Sequence, residues 1–177
     1  MTLRLCLDLN VLVANLLARA KGRQGTACQA LVAAVRRGRC AAGSVQLVIS
    51  WGMLDRLEDV LRHQLGIARG TAQRYRASLA ALAVAGPSGL PPSLTLGGTG
   101  VVPLHDLEDA HVLETALAGR ADWLVTANLA DFTAPGDRVV TEGRLVVRRA
   151  PPRELQLVHP FLAAAWLRQP WPSPTGD

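Results

Sequence analysis

Short runs of Leu and Val, almost wholly apolar, alternate along this chain with stretches of helical periodicity, and that alternation constrains its fold more than any other feature. Leu3–Leu7, Val45–Ile49 and Asp122–Thr126 read as buried strands, and Leu145–Arg148 as a late one. Between them, Asn10–Arg19 carries Val11, Leu12, Leu16 and Leu17 near helical spacing. Thr26–Arg37 repeats the pattern with Ala27, Leu31, Ala34 and Val35. Trp51–Leu65 sets Leu54, Leu57, Leu61 and Leu65 on one face, and Gly70–Val84, Asp106–Leu117 and Arg153–Leu167 are further helices. Strands that are apolar on both sides need cover on both sides, so helices between them predict an α/β fold with a parallel sheet.

The breaks support the same reading. Lys21–Gly25 is a polar, Gly-containing turn, and Ser50 stands where a helix N-cap belongs. The segment 86–100 is rich in Pro and Gly and reads as a long surface loop, with Val101–Leu104 a short strand after it. A single domain is expected over residues 1–169, followed by a frayed, Pro-rich tail at 170–177.

Composition narrows the functional classes. About half of the 177 residues are hydrophobic, yet no apolar run is long enough to span a bilayer, so no membrane partner is expected. The apolar start is interrupted by Asp8, Asn10 and Asn15, which argues against a signal peptide. Cys6, Cys28 and Cys40 lack paired spacing and read as reduced thiols of a cytoplasmic protein. The formal net charge is +5, and nearly all basic residues are Arg, which favours a polyanionic partner. No strand is followed by a glycine-rich phosphate loop, and Ser50 lacks a glycine-flanked nucleophile turn. His63, His105, His111 and His159 have no metal-binding spacing and read as core or surface residues.

Ligands of parallel α/β sheets bind outside the carboxyl ends of the strands. Two firm strands end there in polar residues: Asp8 and Asn10 after the first, Thr126 and Asn128 after another. Asp8 admits two readings, a helix cap or a carboxylate held for a cation, since a carboxylate among apolar neighbours is costly alone. Asp106, Glu108 and Asp109 open a helix, where acids complement the dipole and cap the first turn. Asn128 and Asp131 also suit a turn. Taken together, acids at strand ends in a basic protein suggest divalent-metal chemistry on nucleic acid. Hard cations need several oxygen ligands, and clustered carboxylates repel one another without one.

These segments resemble the PIN domains. LCLDLNVLVANLL is similar to their opening strand and helix, and SWGMLDRLEDVLRHQL to their helix with a Val-Leu pair. DLEDAHVLETALAGRADWLVTANLADF matches best, with an acid-rich helix start, an Ala-rich helix and a strand ending in Val-Thr. LVVRRAPPREL resembles their closing strand and Pro-containing helix start. The resemblance runs in order from Leu3 to about Leu155. It implies a three-layer α/β/α sandwich around a mostly parallel sheet, with an acidic pocket at its carboxyl edge. It also implies bound Mg²⁺ or Mn²⁺ and cleavage of RNA. Many bacterial members are toxins restrained by an antitoxin protein, and the domains often form homodimers.

Residue by residue, the resemblance places Asp8 and Asp109 at the first and third acids, with Asn10 orienting Asp8 and Asp106 a lesser candidate. Arg56 stands where the family has its second acid. Glu58 lies roughly 200° away round the helix, and Asp59 projects toward solvent. Asn128 replaces the fourth acid, offering a carbonyl oxygen without charge, and Asp131 is a substitute carboxylate. The expected catalytic set is therefore Asp8, Asp109 and Asp131, and the expected metal ligands are these three with Asn128 and Asp106. An Arg56 turned into the pocket competes with the cation, or pairs with Asp8 or Asp109. The alternative function is a PIN-like module with lost or reduced catalysis that binds RNA or a protein partner.

Overall fold

A computed structural model describes residues 2–94, 104 and 106–169. Strand β1 (Thr2–Leu7) leads into helices α1 (Leu9–Ala20) and α2 (Ala27–Arg37), and then the hairpin β2 (Arg39–Cys40) and β3 (Gly43–Val48). Helices α3 (Trp51–Asp59), α4 (Arg69–Ala85) and α5 (Leu107–Ala118) precede β4 (Trp123–Val125). The short helix α6 (Leu129–Phe132), strands β5 (Arg138–Thr141), β6 (Leu145–Ala150) and β7 (Arg153–Val158), and helix α7 (Pro160–Trp166) complete the order.

The strands form one sheet in the order β2-β3-β1-β4-β7-β6-β5. Its four central strands, β3, β1, β4 and β7, are parallel, and antiparallel strands extend both edges. From β1 the chain crosses to β3 on one side, then returns past β1 to β4 on the other. Right-handed crossovers send the two connections over opposite faces. α1, α2 and α7 accordingly pack together, as do α3, α4 and α5. The sheet between two helical layers is the expected three-layer α/β/α architecture. The reversal at β1 also opens a crevice between the carboxyl ends of β1 and β4, the general site for ligands in such sheets.

Local chemistry sets the helix ends. Thr26 and Gln29 form a reciprocal capping box on α2, and Gly38 ends that helix with φ 63°, a conformation that glycine adopts freely. Ser50 caps α3 by accepting from Met53 N, as its position predicts. Inside, Leu5, Leu7, Leu47, Trp123 and Leu124 of the parallel strands are buried, and Trp123 meets Trp166 of α7 at 5.3 Å between ring centroids. The Gln46 carboxamide is fully enclosed and satisfied by Leu47 O, Ala83 O and Ser88 N.

Two expectations need correction, and three elements are added. Arg153–Leu167 is not one helix. RELQLV forms β7, hydrogen-bonded between β4 and β6, and the helix starts only at Pro160. Proline lacks a backbone donor and biases the preceding residue toward extended conformations, so it suits a first helical position and not a helix interior. Leu65 does not share the buried face of Leu54, Leu57 and Leu61. A π-helical turn at Val60–Gln64 widens the spiral and leaves Leu65 38% exposed. Between residues 128 and 141 the chain adds α6 and β5, and β2 forms a hairpin with β3, none of which apolar periodicity signals; β5 is exposed throughout. Most of the expected strand 101–104, His105 and the tail from Pro170 lie outside the described residues. Among the described residues, no helix is long and apolar enough to cross a membrane, and the three cysteines are free.

Candidate active site

Asp8 is the first residue beyond β1, and its backbone N–H still donates to Val125 O across the sheet at 3.0 Å. Its side chain is 6% exposed and fully engaged. Oδ1 accepts from Leu9 N at 2.6 Å, capping α1. Oδ2 accepts from Asn10 Nδ2 at 2.6 Å and from the Thr126 hydroxyl at 2.7 Å. The cap reading of Asp8 holds, and the same carboxylate is buried at the crevice. Burial pushes its pKa up, partly offset by the bonds from Thr126, Leu9 and Asn10, and the charge of Glu108 pushes it up further.

Thr126 ties the two strand ends together. Its hydroxyl donates to Asp8 and accepts from Asn10 Nδ2 at 3.2 Å and Asn128 N at 3.0 Å. Asn10 therefore does what its position implies and orients Asp8. Asn128 begins α6, and its amide donates to the Asp131 carboxylate at the mouth of the crevice.

The third group of acids comes from the start of α5. Asp106 caps that helix by accepting from Glu108 N at 2.7 Å. Asp109, one turn in, lines two cavities at once. The inner one, about 290 Å³, is also lined by Asp8, Met53, Arg56, Glu108 and His111. The outer one, about 730 Å³, is also lined by Asp106, Glu108, Ala130 and Asp131. The pKa of Asp109 rises to about 6, chiefly through burial and then through the charges of Asp8, Asp106, Asp131 and Glu108. The fold thus gathers carboxylates from three separate segments until their charges oppose one another.

Arg56 lines the inner cavity. Its partner, however, is neither Asp8 nor Asp109. The guanidinium pairs with Glu108, while its Nε is buried without a hydrogen-bond partner. Glu58 is held away from the pocket by Arg62 and Arg76, and Asp59 is exposed as projected.

Two features escaped the sequence reading. Glu108 was seen only as a helix-start acid. His111 was assigned an ordinary core or surface role, yet its Nε2 lies 3.1 Å from Ser50 Oγ, which also accepts from Thr115 Oγ1 at 3.0 Å. Gly52 makes room for this ring, since a Cβ there would stand 2.0 Å from His111 Cε1. No local signal links residues 50, 52 and 111; only the packing of α3 on α5 brings them together.

The donor set is all oxygen and, apart from the Asn128 amide, anionic, which suits a hard divalent cation in type and charge. Among the described residues, no three Asp, Glu, His or Cys side chains stand close enough to form a finished ligand set as placed. The mutual charge of the acids is what a cation would relieve. In comparison with known proteins, a family model described as PIN domain matches residues 4–130. No curated protein and no solved structure matches the chain.

Proposed function

The chain belongs to the PIN domain family, and from that premise we propose that it is a Mg²⁺- or Mn²⁺-dependent ribonuclease that hydrolyses RNA phosphodiesters at the crevice between β1 and β4. One observation carries this reading: Asp8, Asp106, Glu108 and Asp131 gather round Asp109, whose pKa is pushed up to about 6 first by burial and then by their charges. Such repulsion, relieved only in part by the pair of Arg56 with Glu108, favours a bound positive charge.

Asp8 and Asp109 are the two principal ligands. Asp131, the Asn128 carbonyl oxygen and Asp106 are the outer ones. Thr126 and Asn10 hold Asp8 in one orientation, so its carboxylate does not have to reorganise when the site fills. When bound, the cation supplies positive charge at the scissile phosphate and lowers the pKa of water beside it. Arg56 removes one negative charge from the pocket by engaging Glu108. That pairing favours the second reading, a domain of reduced catalysis that binds RNA or a protein.

Calorimetry of Mn²⁺ binding to wild type and to the Asp8→Asn and Asp109→Asn variants separates the two. Binding that disappears in both variants supports the metal site, and RNA cleavage then follows the same order. Wild type that ignores millimolar Mn²⁺ sinks the nuclease reading. The toxin role, an antitoxin partner, a homodimer and a cytoplasmic location rest on the resemblance and form the outer part of the proposal. Expression in a bacterial host should arrest growth with wild type and not with Asp8→Asn, if the toxin role is right.

A further inference from the structure

We infer that Phe161, Arg144 and His159 form a base-stacking platform beside the acid pocket, where a nucleotide next to the scissile phosphate of a single-stranded RNA is held. The inference rests on the ribonuclease reading above.

Strand register places the platform. Leu7 pairs with Val125, and Val125 pairs with Val158, so the three strands end side by side. The next residues, Asp8, Thr126 and His159, stand in a row along the carboxyl edge. With strands ~4.8 Å apart, the backbones of Asp8 and His159 are separated by about 10 Å. Neighbouring nucleotides of an extended strand bridge such a gap.

Phe161 then projects from the first turn of α7 and is 65% exposed. An exposed phenyl ring gains nothing from the core, and its surroundings suit a nucleobase. The Arg144 guanidinium lies over the ring, 5.8 Å from its centroid, and the His159 ring is 5.3 Å away at 31°. Arg144 Nη1 also meets His159 Nδ1 at 3.1 Å, and Phe161 N donates to the same nitrogen at 3.3 Å. Nδ1 therefore acts as acceptor, and burial and the Arg144 charge both push the imidazole pKa down. No carboxylate pairs with Arg144 among the described residues, so its charge is available to a phosphate.

A groove of about 400 Å³ continues from the platform. It is lined by Ala127, next to the acid pocket, by Phe161, by the apolar Ala14, Leu17 and Pro160, and by Lys21 and Arg23. Neither of those two cations has an ion-pair partner among the described residues. Aromatic and guanidinium planes with flanking free cations are the chemistry that holds single strands: bases stack, and phosphates meet the charges. An apolar protein segment would match the ring and the apolar lining of the groove but leave the charges of Arg144, Lys21 and Arg23 unanswered.

Fluorescence anisotropy in EDTA tests this without cleavage, using a labelled oligoadenylate and an abasic strand of equal length. Phe161→Ala should weaken oligoadenylate binding about 5- to 100-fold. Phe161→Trp should restore it, and the abasic strand should not sense either change. Arg144→Gln should weaken both strands. Wild type that binds oligoadenylate as tightly as Phe161→Ala overturns the platform and leaves the nuclease reading standing. So does a Phe161→Ala variant whose only change is loss of self-association, since the ring is then a protein contact. Wild type that binds neither strand, in EDTA or in Mg²⁺, removes the ribonuclease reading as well.

Discussion

The guanidinium of Arg56 is paired with the carboxylate of Glu108 across the inner acidic cavity. The pair joins α3 to α5 in the cavity that Asp8 and Asp109 also line. Replacing Arg56 by Glu reverses a charge inside a half-exposed pocket, where a unit charge a few ångströms away is worth on the order of 1–4 kcal/mol. Arg56→Glu should therefore raise Mn²⁺ affinity at least about tenfold by calorimetry. Without metal the variant should be less stable, because it loses the half-exposed ion pair, worth about 0–1 kcal/mol, and adds a carboxylate that repels Glu108, Asp8 and Asp109. An unchanged affinity would mean that the Arg56 charge does not reach the ion.

Asp109 gives the site a pH dependence of known sign. Burial and the neighbouring acids push its carboxyl up from the ordinary 3.8 to about 6 in the fold. The folded state thus binds more protons between these values, and this group's contribution to stability falls as pH rises from about 4 to 6, then levels off. Asp8, also raised, acts in the same direction. Denaturant melts across this interval should show the decline in wild type, and Asp109→Asn should flatten it. Mn²⁺ affinity should rise over the same interval, as the cation stops competing with a proton. A wild-type profile matching that of Asp109→Asn would remove the charge repulsion argued here.

The Arg148–Asp137 pair should behave in the opposite way. Arg148 Nε and Nη2 donate to the two Asp137 oxygens at 2.9 and 2.6 Å, and both side chains are largely buried. Burial alone would raise the Asp137 pKa, but the bonds from Arg148 and Ala134 N, together with the Arg148 charge, bring it below the usual value. Its stabilisation is therefore present above pH 4 or so and is lost as pH falls through the lowered value. Asp137→Asn should cost about 3 kcal/mol at neutral pH, since it strands a buried guanidinium. A loss under 1 kcal/mol in urea unfolding would show that the guanidinium finds water instead.

Gly52→Ala tests the contact between α3 and α5. The added Cβ would overlap His111, so the ring must leave Ser50 or the helices must part. A cost of about 1–3 kcal/mol is expected. His111→Ala in the same background should recover most of it, which a double-mutant cycle measures directly. Purely additive effects would place the ring elsewhere.

Much of the fold was legible because its signals are local. Leu3–Leu7, Val45–Val48 and Trp123–Val125 are apolar on both faces, and that requires cover on both sides. Ser50 and Asp106 are caps whose partners lie two or three residues away. β7 was misread because RELQLV lacks the continuous apolar character of the other parallel strands; only its neighbours, β4 and β6, supply the partners that make it a strand. The π turn was equally invisible, since one added residue in a spiral leaves no mark on composition.

The site divides in the same way. Asp8, Asp109 and Asn128 were legible as polar residues placed at strand ends and a helix start. That placement follows from chain order, because a parallel sheet puts all such ends on one edge. The sequence by itself thus determined the layers, the edge and the kinds of atoms gathered there. Tertiary structure alone decided the pairings: Arg56 with Glu108, His111 with Ser50, and Asp8, Thr126 and His159 in one row. Pairings of this kind depend on strand order and register, and these minimise the energy of the whole sheet rather than of any one segment.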